Sequence, residues 1–160
     1  PPRTPPPPRH ASGQDATRRL LLLQNVAFLR LFHQAMRGRG NVADDRYDEL
    51  EPAGVPATTD DAVREIFAGV GSDPKAAARQ MLGFLRQFSA EAVIQEARRL
   101  VCYKGNDAHD YKFGSAVLED YYALSPPWRD RYLAMSVFSL CGSAAPDNPL
   151  VQRITQALGG

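Results

Sequence analysis

Apolar residues recur along this chain with the period of an α-helix, in segments separated by glycine, proline and short polar stretches. One segment shows the spacing i, i+3, i+4 and i+7 at Val63, Ile66, Phe67 and Val70, which places these side chains on one helix face. No segment shows the sustained alternation of β-branched and polar residues that is typical of a strand. The pattern therefore predicts an all-α protein, a single compact bundle of about seven helices.

Capping residues mark where the predicted helices begin. A side-chain oxygen at the N-cap accepts hydrogen bonds from the free N–H groups of the first turn, and Thr58, Ser89 and Asp107 stand before three of the apolar segments. A proline just inside the helix loses nothing there because that N–H has no partner in any case. This second signature occurs at Asp73-Pro74, Ser125-Pro126 and Asn148-Pro149. The predicted ends are glycines, at Gly38, Gly71, Gly105 and Gly142.

Two of the predicted helices are apolar on nearly every side. The first runs from Asp15 to Arg37 and carries leucine, valine and phenylalanine around most of its circumference, and the second lies within residues 132–141. A helix of this kind belongs at the centre of a bundle or under a partner. Both are therefore predicted to be central helices.

Residues 1–13, PPRTPPPPRHASG, are rich in proline and precede the first helix. Proline supplies no backbone N–H for regular structure, so we predict an extended, disordered tail or linker here. Residues 14–160 are predicted to form the helical domain. Within it, residues 41–57 form a predicted loop whose carboxylates, between Asp44 and Glu51, lack the glycine and the final glutamate of a calcium loop.

Composition narrows the class of protein. Of the 160 residues, 44% are hydrophobic and 23% are charged, as is usual for a soluble globular protein. No apolar run approaches the roughly 20 residues that span a bilayer, so no membrane span is predicted. The two cysteines, Cys102 and Cys141, form neither a disulfide framework nor a Cys-x-x-Cys motif, which favours a reducing, cytoplasmic location.

Charge is unevenly distributed although the formal net charge is only +1. Residues 1–43 hold seven arginines and one aspartate, whereas residues 44–160 hold twelve basic and seventeen acidic residues. A basic segment of this kind can bind nucleic acid or an acidic partner, but few aromatic residues lie between these arginines. Nucleic-acid binding is therefore not favoured. The alternative is that the basic N-terminal part and the acidic remainder of the chain neutralise each other within one fold.

The segment KGNDAHDYKF, residues 104–113, concentrates titratable side chains in a short stretch. One interpretation is structural: Gly105 ends a helix, Asp107 caps the next, and Asp110 stands three residues later, at the spacing of a capping box. Gly114 then lies in the middle of that helix, where glycine costs up to about 1 kcal/mol relative to alanine. A glycine in this position indicates that another backbone or a ligand approaches the helix closely.

The other interpretation of this segment is catalytic. His109 lies in the first helical turn, where the dipole disfavours its protonated form, so a neutral imidazole would be available as a general base. Cys102 lies near Lys104, and a basic neighbour raises the thiolate fraction. With Asp110 as the orienting acid, these candidates could form a nucleophile, base and acid, although no oxyanion loop accompanies them. The acids Glu119 and Asp120 lack Glu-x-x-His spacing, and no metal or cofactor is predicted.

The segment EDYYALSPPWRDRYL, residues 119–133, gathers tyrosine, tryptophan and arginine. These residue types are enriched at the energetic centres of protein–protein interfaces, and they are equally common where two helices meet at a corner. The candidate partner-binding residues are Tyr121, Tyr122, Trp128, Arg129, Arg131 and Tyr132.

Two classes of function follow from these patterns. The favoured hypothesis is a non-catalytic helical interaction or assembly module that binds a protein partner or further copies of itself, because two helices are too apolar for the surface of a monomer. The alternative is a small helical enzyme or cofactor-binding protein with a site at His109, Asp110 and Cys102.

Overall fold

The computed structural model describes residues 15–36 and 46–159. This part of the chain contains seven α-helices, two short 3₁₀ helices and no strand, which confirms the all-α class. The α-helices are α1 (Asp15–Met36), α2 (Thr59–Gly69), α3 (Pro74–Leu85), α4 (Ala90–Lys104), α5 (Ala108–Ala123), α6 (Pro126–Ser136) and α7 (Pro149–Ala157). The 3₁₀ helices are Tyr47–Glu49 and Val137–Ser139.

The chain divides into two units, Pro1–Arg46 and Tyr47–Gly160. Helix α1 lies in the first unit and α2 to α7 lie in the second. The predicted tail of residues 1–13, the predicted stop at Gly38 and the first part of the acidic loop lie outside the described residues. The predicted domain boundary at residue 14 therefore stays a prediction.

The predicted caps begin the helices, with one exception. Thr58 Oγ1 accepts a hydrogen bond from Asp61 N at 3.2 Å at the start of α2. Ser125 stands at the N-cap of α6 but makes no side-chain capping bond. Pro126 and Pro127 have no N–H to donate, and the next N–H, that of Trp128, donates to Ser125 O at 3.0 Å. Side-chain capping bonds are also made by Asp73, Ser89, Asp107 and Asn148.

One face of each helix from α2 to α6 contributes to a shared hydrophobic core in the second unit. Its largest fully buried side chains include Phe67 of α2, Phe84 of α3 and Ile94 of α4. Burial of each such side chain contributes about 1.5–3 kcal/mol relative to leaving it exposed. Helix α3 packs against α6 more extensively than any other pair of described elements. The α3–α6 pair is therefore the centre of this unit.

The second predicted central helix, within residues 132–141, is only partly continuous. Helix α6 ends at Ser136, and the chain goes on as the 3₁₀ helix Val137–Ser139. Leu133, Val137 and Leu140 are buried, whereas Phe138 is 51% exposed. The buried Ser136 hydroxyl donates to Leu133 O at 2.6 Å, so its polar atom has a partner. The segment lies in the core on most of its sides.

Helix α1 does not have the buried position that its composition predicts. Its large apolar side chains are exposed, at 66% for Leu20, 62% for Leu29 and 50% for Phe32. The prediction of a central helix is therefore not confirmed for α1, because a central helix would have these side chains in a core. Cover by a partner stays a prediction. None of the described helices is both long enough and apolar enough to cross a membrane.

The segment before α2 approaches α3 closely at Gly83. A Cβ atom placed on Gly83 would lie 1.9 Å from Ala53 O. The approach is fixed by hydrogen bonds from Ala53 N to Arg79 O at 2.8 Å and from Arg79 Nε to Glu51 O at 3.1 Å. Gly83 is therefore required because only a residue without Cβ leaves room for this backbone.

Gly83→Ala should lower the free energy of unfolding by about 3 kcal/mol, because the new methyl group meets a backbone carbonyl held in place by hydrogen bonds. Gly54→Ala is the matched control, since nothing lies within 4 Å of its Cβ position, and it should change stability by less than about 0.5 kcal/mol. Urea unfolding measures both variants. Equal effects of the two substitutions would contradict the close approach.

Candidate functional site

The turn between α4 and α5 is built by reciprocal capping. Gly105 N donates to Val101 O at 2.9 Å and ends α4. Asp107 Oδ1 accepts from His109 N at 2.6 Å and from Asp110 N at 3.2 Å. In return, Asp110 Oδ2 accepts from Asp107 N at 3.4 Å. This is the capping box predicted from the sequence. The carboxylates of Asp107 and Asp110 both accept hydrogen bonds that stabilise the turn.

The same turn also holds the start of α7. The Gly105 carbonyl accepts from Tyr111 Oη at 2.8 Å and from the Asn148 side-chain amide. Beside it, Lys104 Nζ donates to Asp147 Oδ1 at 2.9 Å. The contacts of Asn148 and Asp147 could not be predicted from the sequence, because each residue lies 43 positions from its partner along the chain. The turn is thus a structural junction of α4, α5 and α7.

The three catalytic candidates lie close in sequence, but the structure places their side chains in different surroundings. The His109 side chain is 94% exposed, with Nδ1 3.6 Å from Asp107 Oδ1. Cys102 is exposed and lines a depression of about 240 Å³ whose lining includes neither His109 nor Asp110. Asp110 Oδ2 also accepts from Asn106 N at 2.9 Å, which directs this carboxylate into the turn. Catalysis by these residues stays a hypothesis.

Gly114 has a neighbour that accounts for its place in the middle of α5. A Cβ atom placed on Gly114 would lie 3.0 Å from Val101 Cγ2 of α4. Gly114 is buried, and α4 and α5 pack against each other. The close neighbour of this glycine is therefore a side chain of the adjacent helix, and not the backbone or the ligand that the sequence suggested.

The electrostatic properties of the turn follow from its hydrogen bonds. The bonds from His109 N and then from Asp110 N hold the pKa of the Asp107 carboxyl below its usual range, because they stabilise the ionised form. Cys141, by contrast, is partly buried against the core. Burial raises the pKa of its thiol.

An apolar groove of about 440 Å³ lies between α5 and α6. It is lined by Phe113, Val117, Leu124, Trp128, Arg131, Tyr132, Met135 and Ser136. The two most hydrophilic of these side chains bond to the protein itself: Ser136 Oγ donates to Leu133 O, and an Arg131 guanidinium N–H donates to Leu50 O at 3.0 Å. The groove therefore presents mainly carbon atoms to an incoming molecule.

Three of the six predicted partner-binding residues line this groove, namely Trp128, Arg131 and Tyr132. Trp128 is 55% exposed. Tyr132 is half-buried, and its hydroxyl donates to Asp120 Oδ2 at 3.4 Å. Phe113 and Met135 also line the groove and were absent from the predicted set.

The other three predicted partner-binding residues do not line the groove. Tyr121 is buried, with the Arg129 guanidinium 5.5 Å from the centre of its ring. Its hydroxyl donates to Asp130 Oδ1 at 3.3 Å. Tyr122 is exposed and donates to Glu91 Oε2 at 2.9 Å. Tyr121 and Arg129 therefore pack at the corner of α5 and α6, which was the alternative interpretation of this segment.

Among residues 15–36 and 46–159, no group of three or more His, Cys, Asp and Glu side chains is placed to hold a metal ion. Comparisons with protein-family models, with curated proteins and with solved structures found no match for this chain. Function must therefore be inferred from the residues and their geometry.

Asp107→Ala should lower the melting temperature, because the first turn of α5 loses the acceptor for its N–H groups. Asp107→Asn should retain most of the stability, since an amide oxygen accepts the same bonds. The folded pKa of Asp107 is lowered, so its contribution is present above the unfolded value of about 3.9 and is lost as the pH falls through the folded value. Thermal unfolding followed by circular dichroism should therefore show that the difference in melting temperature between wild type and Asp107→Ala becomes smaller at acidic pH. A difference in melting temperature that does not depend on pH would contradict this role.

His109→Ala should leave the melting temperature unchanged, because the imidazole is almost fully exposed and its backbone N–H still donates to Asp107. Thermal unfolding of the variant beside wild type measures this. A folded His109→Ala variant that had lost a measurable binding or catalytic activity would instead support the catalytic hypothesis.

Proposed function

We propose that this protein is a non-catalytic helical module that binds a protein partner, and that the α5–α6 groove receives an apolar segment of that partner. The main support for this proposal is the groove, which has a volume of about 440 Å³ and a half-exposed tryptophan in its lining. Pockets that bind small molecules usually have volumes of about 300–1,000 Å³, so a groove of this size has room for apolar side chains of a partner.

The exposed side chains of the groove support binding of a partner. Trp128 is 55% exposed and Phe113 is 39% exposed, and both line the same groove. Contiguous apolar surface of this kind is costly in water and commonly marks an interaction site. Tryptophan is also among the residue types that contribute most to binding energy at interfaces. Trp128 is therefore the proposed energetic centre.

The chemistry of the lining favours a protein segment over a small polar substrate. A small-molecule site usually has several polar groups that fix the orientation of the ligand. Here Ser136 and Arg131 make hydrogen bonds within the protein, so few polar groups of the lining remain to orient a substrate. An amphipathic helix needs no such groups, since it lays aliphatic or aromatic side chains, spaced i, i+3, i+4 and i+7, into a groove between helices. Such a helix is the proposed occupant.

Affinity capture with the full chain tests this proposal when wild type is compared with Trp128→Ala. The partner should bind the variant about 30-fold more weakly, since the loss of a central tryptophan costs about 2 kcal/mol or more. Phe138→Ala is the matched control, because Phe138 is similarly exposed but does not line the groove, and it should bind like wild type. Circular dichroism shows whether each variant is folded.

Fluorescence gives an independent measurement, because Trp128 is the only tryptophan in the chain. Binding of the partner should shift its emission to shorter wavelength as the indole leaves water. A partner that binds Trp128→Ala and wild type equally well, or that binds with no change in emission, would contradict the proposal.

A further inference from the structure

Helix α7 presents an apolar face that the core of the second unit does not cover. None of the nine described residues of α7 is buried. Leu150 is 51% exposed, Ile154 is 50% exposed, and Leu158, just after the helix, is 81% exposed. These residues follow one another at a spacing of four, so they lie on one side of the helix. Helix α7 is therefore amphipathic, with its apolar side in water.

The start of α7 is held at the turn between α4 and α5, outside the groove. Asn148 N donates to Tyr103 O at 2.7 Å, and the Asn148 side-chain amide donates to Gly105 O. The described residues that line the α5–α6 groove include none from α7. One copy of the chain therefore has both an open apolar groove and an uncovered apolar helix.

The apolar face of α7 has the chemistry that the groove requires. Val151, Ile154 and Leu158 stand at the spacing i, i+3 and i+7, which is the spacing of the side chains that an amphipathic helix lays into a groove. The lining of the groove presents mainly carbon atoms to such side chains. The chain itself thus contains a helix of the class that the groove is proposed to receive.

Charges beside the two apolar surfaces are of opposite sign. Arg153 is the charged residue of α7, and it stands three residues after Leu150, next to the apolar face. On α5, Asp120 stands four residues before Leu124, which lines the groove, and its Oδ2 accepts from Tyr132 Oη at 3.4 Å. A guanidinium at the edge of α7 and a carboxylate at the edge of the groove favour this pairing of surfaces.

The size of the contact determines how many copies take part. A helix of nine residues is about 14 Å long, so one helix in one groove buries much less than the roughly 800 Å² that each partner gives to a stable interface. Two such contacts related by a two-fold axis double the buried area. A partner of another kind would fill the groove and leave α7 in water, whereas a reciprocal pair of copies covers both surfaces.

We infer that the α5–α6 groove receives α7 of a second copy of this chain, in a two-fold dimer in which each copy inserts its α7 into the groove of the other. The inference rests on the proposed function, since it names the amphipathic helix that occupies the groove. In the dimer, Trp128 of each copy contacts α7 of the other copy, and its indole leaves water.

Light scattering after size exclusion of the full chain tests the inference. The wild-type mass should be about twice the 17.6 kDa of one chain. Ile154→Glu places a charge on the apolar face of α7, and Trp128→Ala removes the largest side chain of the groove, so each should give the mass of a single chain. Gln156→Glu is the matched control, because Gln156 lies about 200° around the axis from Ile154, and it should leave the mass unchanged. Circular dichroism shows whether each variant is folded.

The fluorescence of Trp128 reports whether α7 is the helix in the groove. The wild-type emission should move to shorter wavelength as the protein concentration rises, and Ile154→Glu should abolish this shift although its groove is unchanged. A wild-type mass of one chain or of more than two chains would overturn the inference, and so would an equal loss of mass in Gln156→Glu.

The failure of this inference differs from the failure of the proposed function. A monomeric wild type whose partner binds it more tightly than Trp128→Ala would overturn the dimer alone. A dimer that persists in Trp128→Ala, together with a partner that binds this variant as well as wild type, would overturn both.

Discussion

The packing of α3 against α6 is the contact on which the second unit depends. Met81 and Phe84 of α3 and Leu133 of α6 are fully buried or nearly so, and Gly83 lets the segment at Ala53 close over the same helix. Helix α6 begins just after α5 ends, so its position on α3 also determines where the two helices diverge. The apolar groove therefore follows from the way the core is packed.

Two regions with different chemistry result from this arrangement. In the turn between α4 and α5, the polar side chains make hydrogen bonds within the protein. Asp107 and Asp110 accept from N–H groups of the turn, and Lys104 is paired with Asp147. In the groove, half-exposed carbon surface is left without a cover, with Trp128 as its largest side chain. The crowded titratable residues thus hold a structural junction, and the apolar groove is the surface that we propose to bind a partner.

The helices and their caps could be predicted because their signals are local. Ile66, Phe67 and Val70 are buried as the spacing of their stripe predicts, and Asp107 caps α5 through residues two and three positions away. The groove could not be predicted, because it depends on the angle between two helices and not on either alone. For the same reason the sequence left Tyr121 open between partner binding and corner packing; it is buried in the core, with the Arg129 guanidinium 5.5 Å from the centre of its ring.

Binding through the groove is tested most directly by nuclear magnetic resonance of the labelled protein as its partner is added. Every amide and the single indole N–H of Trp128 report their own surroundings, so the binding surface can be located without any substitution. If the groove binds the partner, the largest shifts should fall on the Trp128 indole, on Phe113 and on Met135. Shifts centred on Lys104 to Tyr111, with the Trp128 indole unchanged, would contradict it and locate function in the turn.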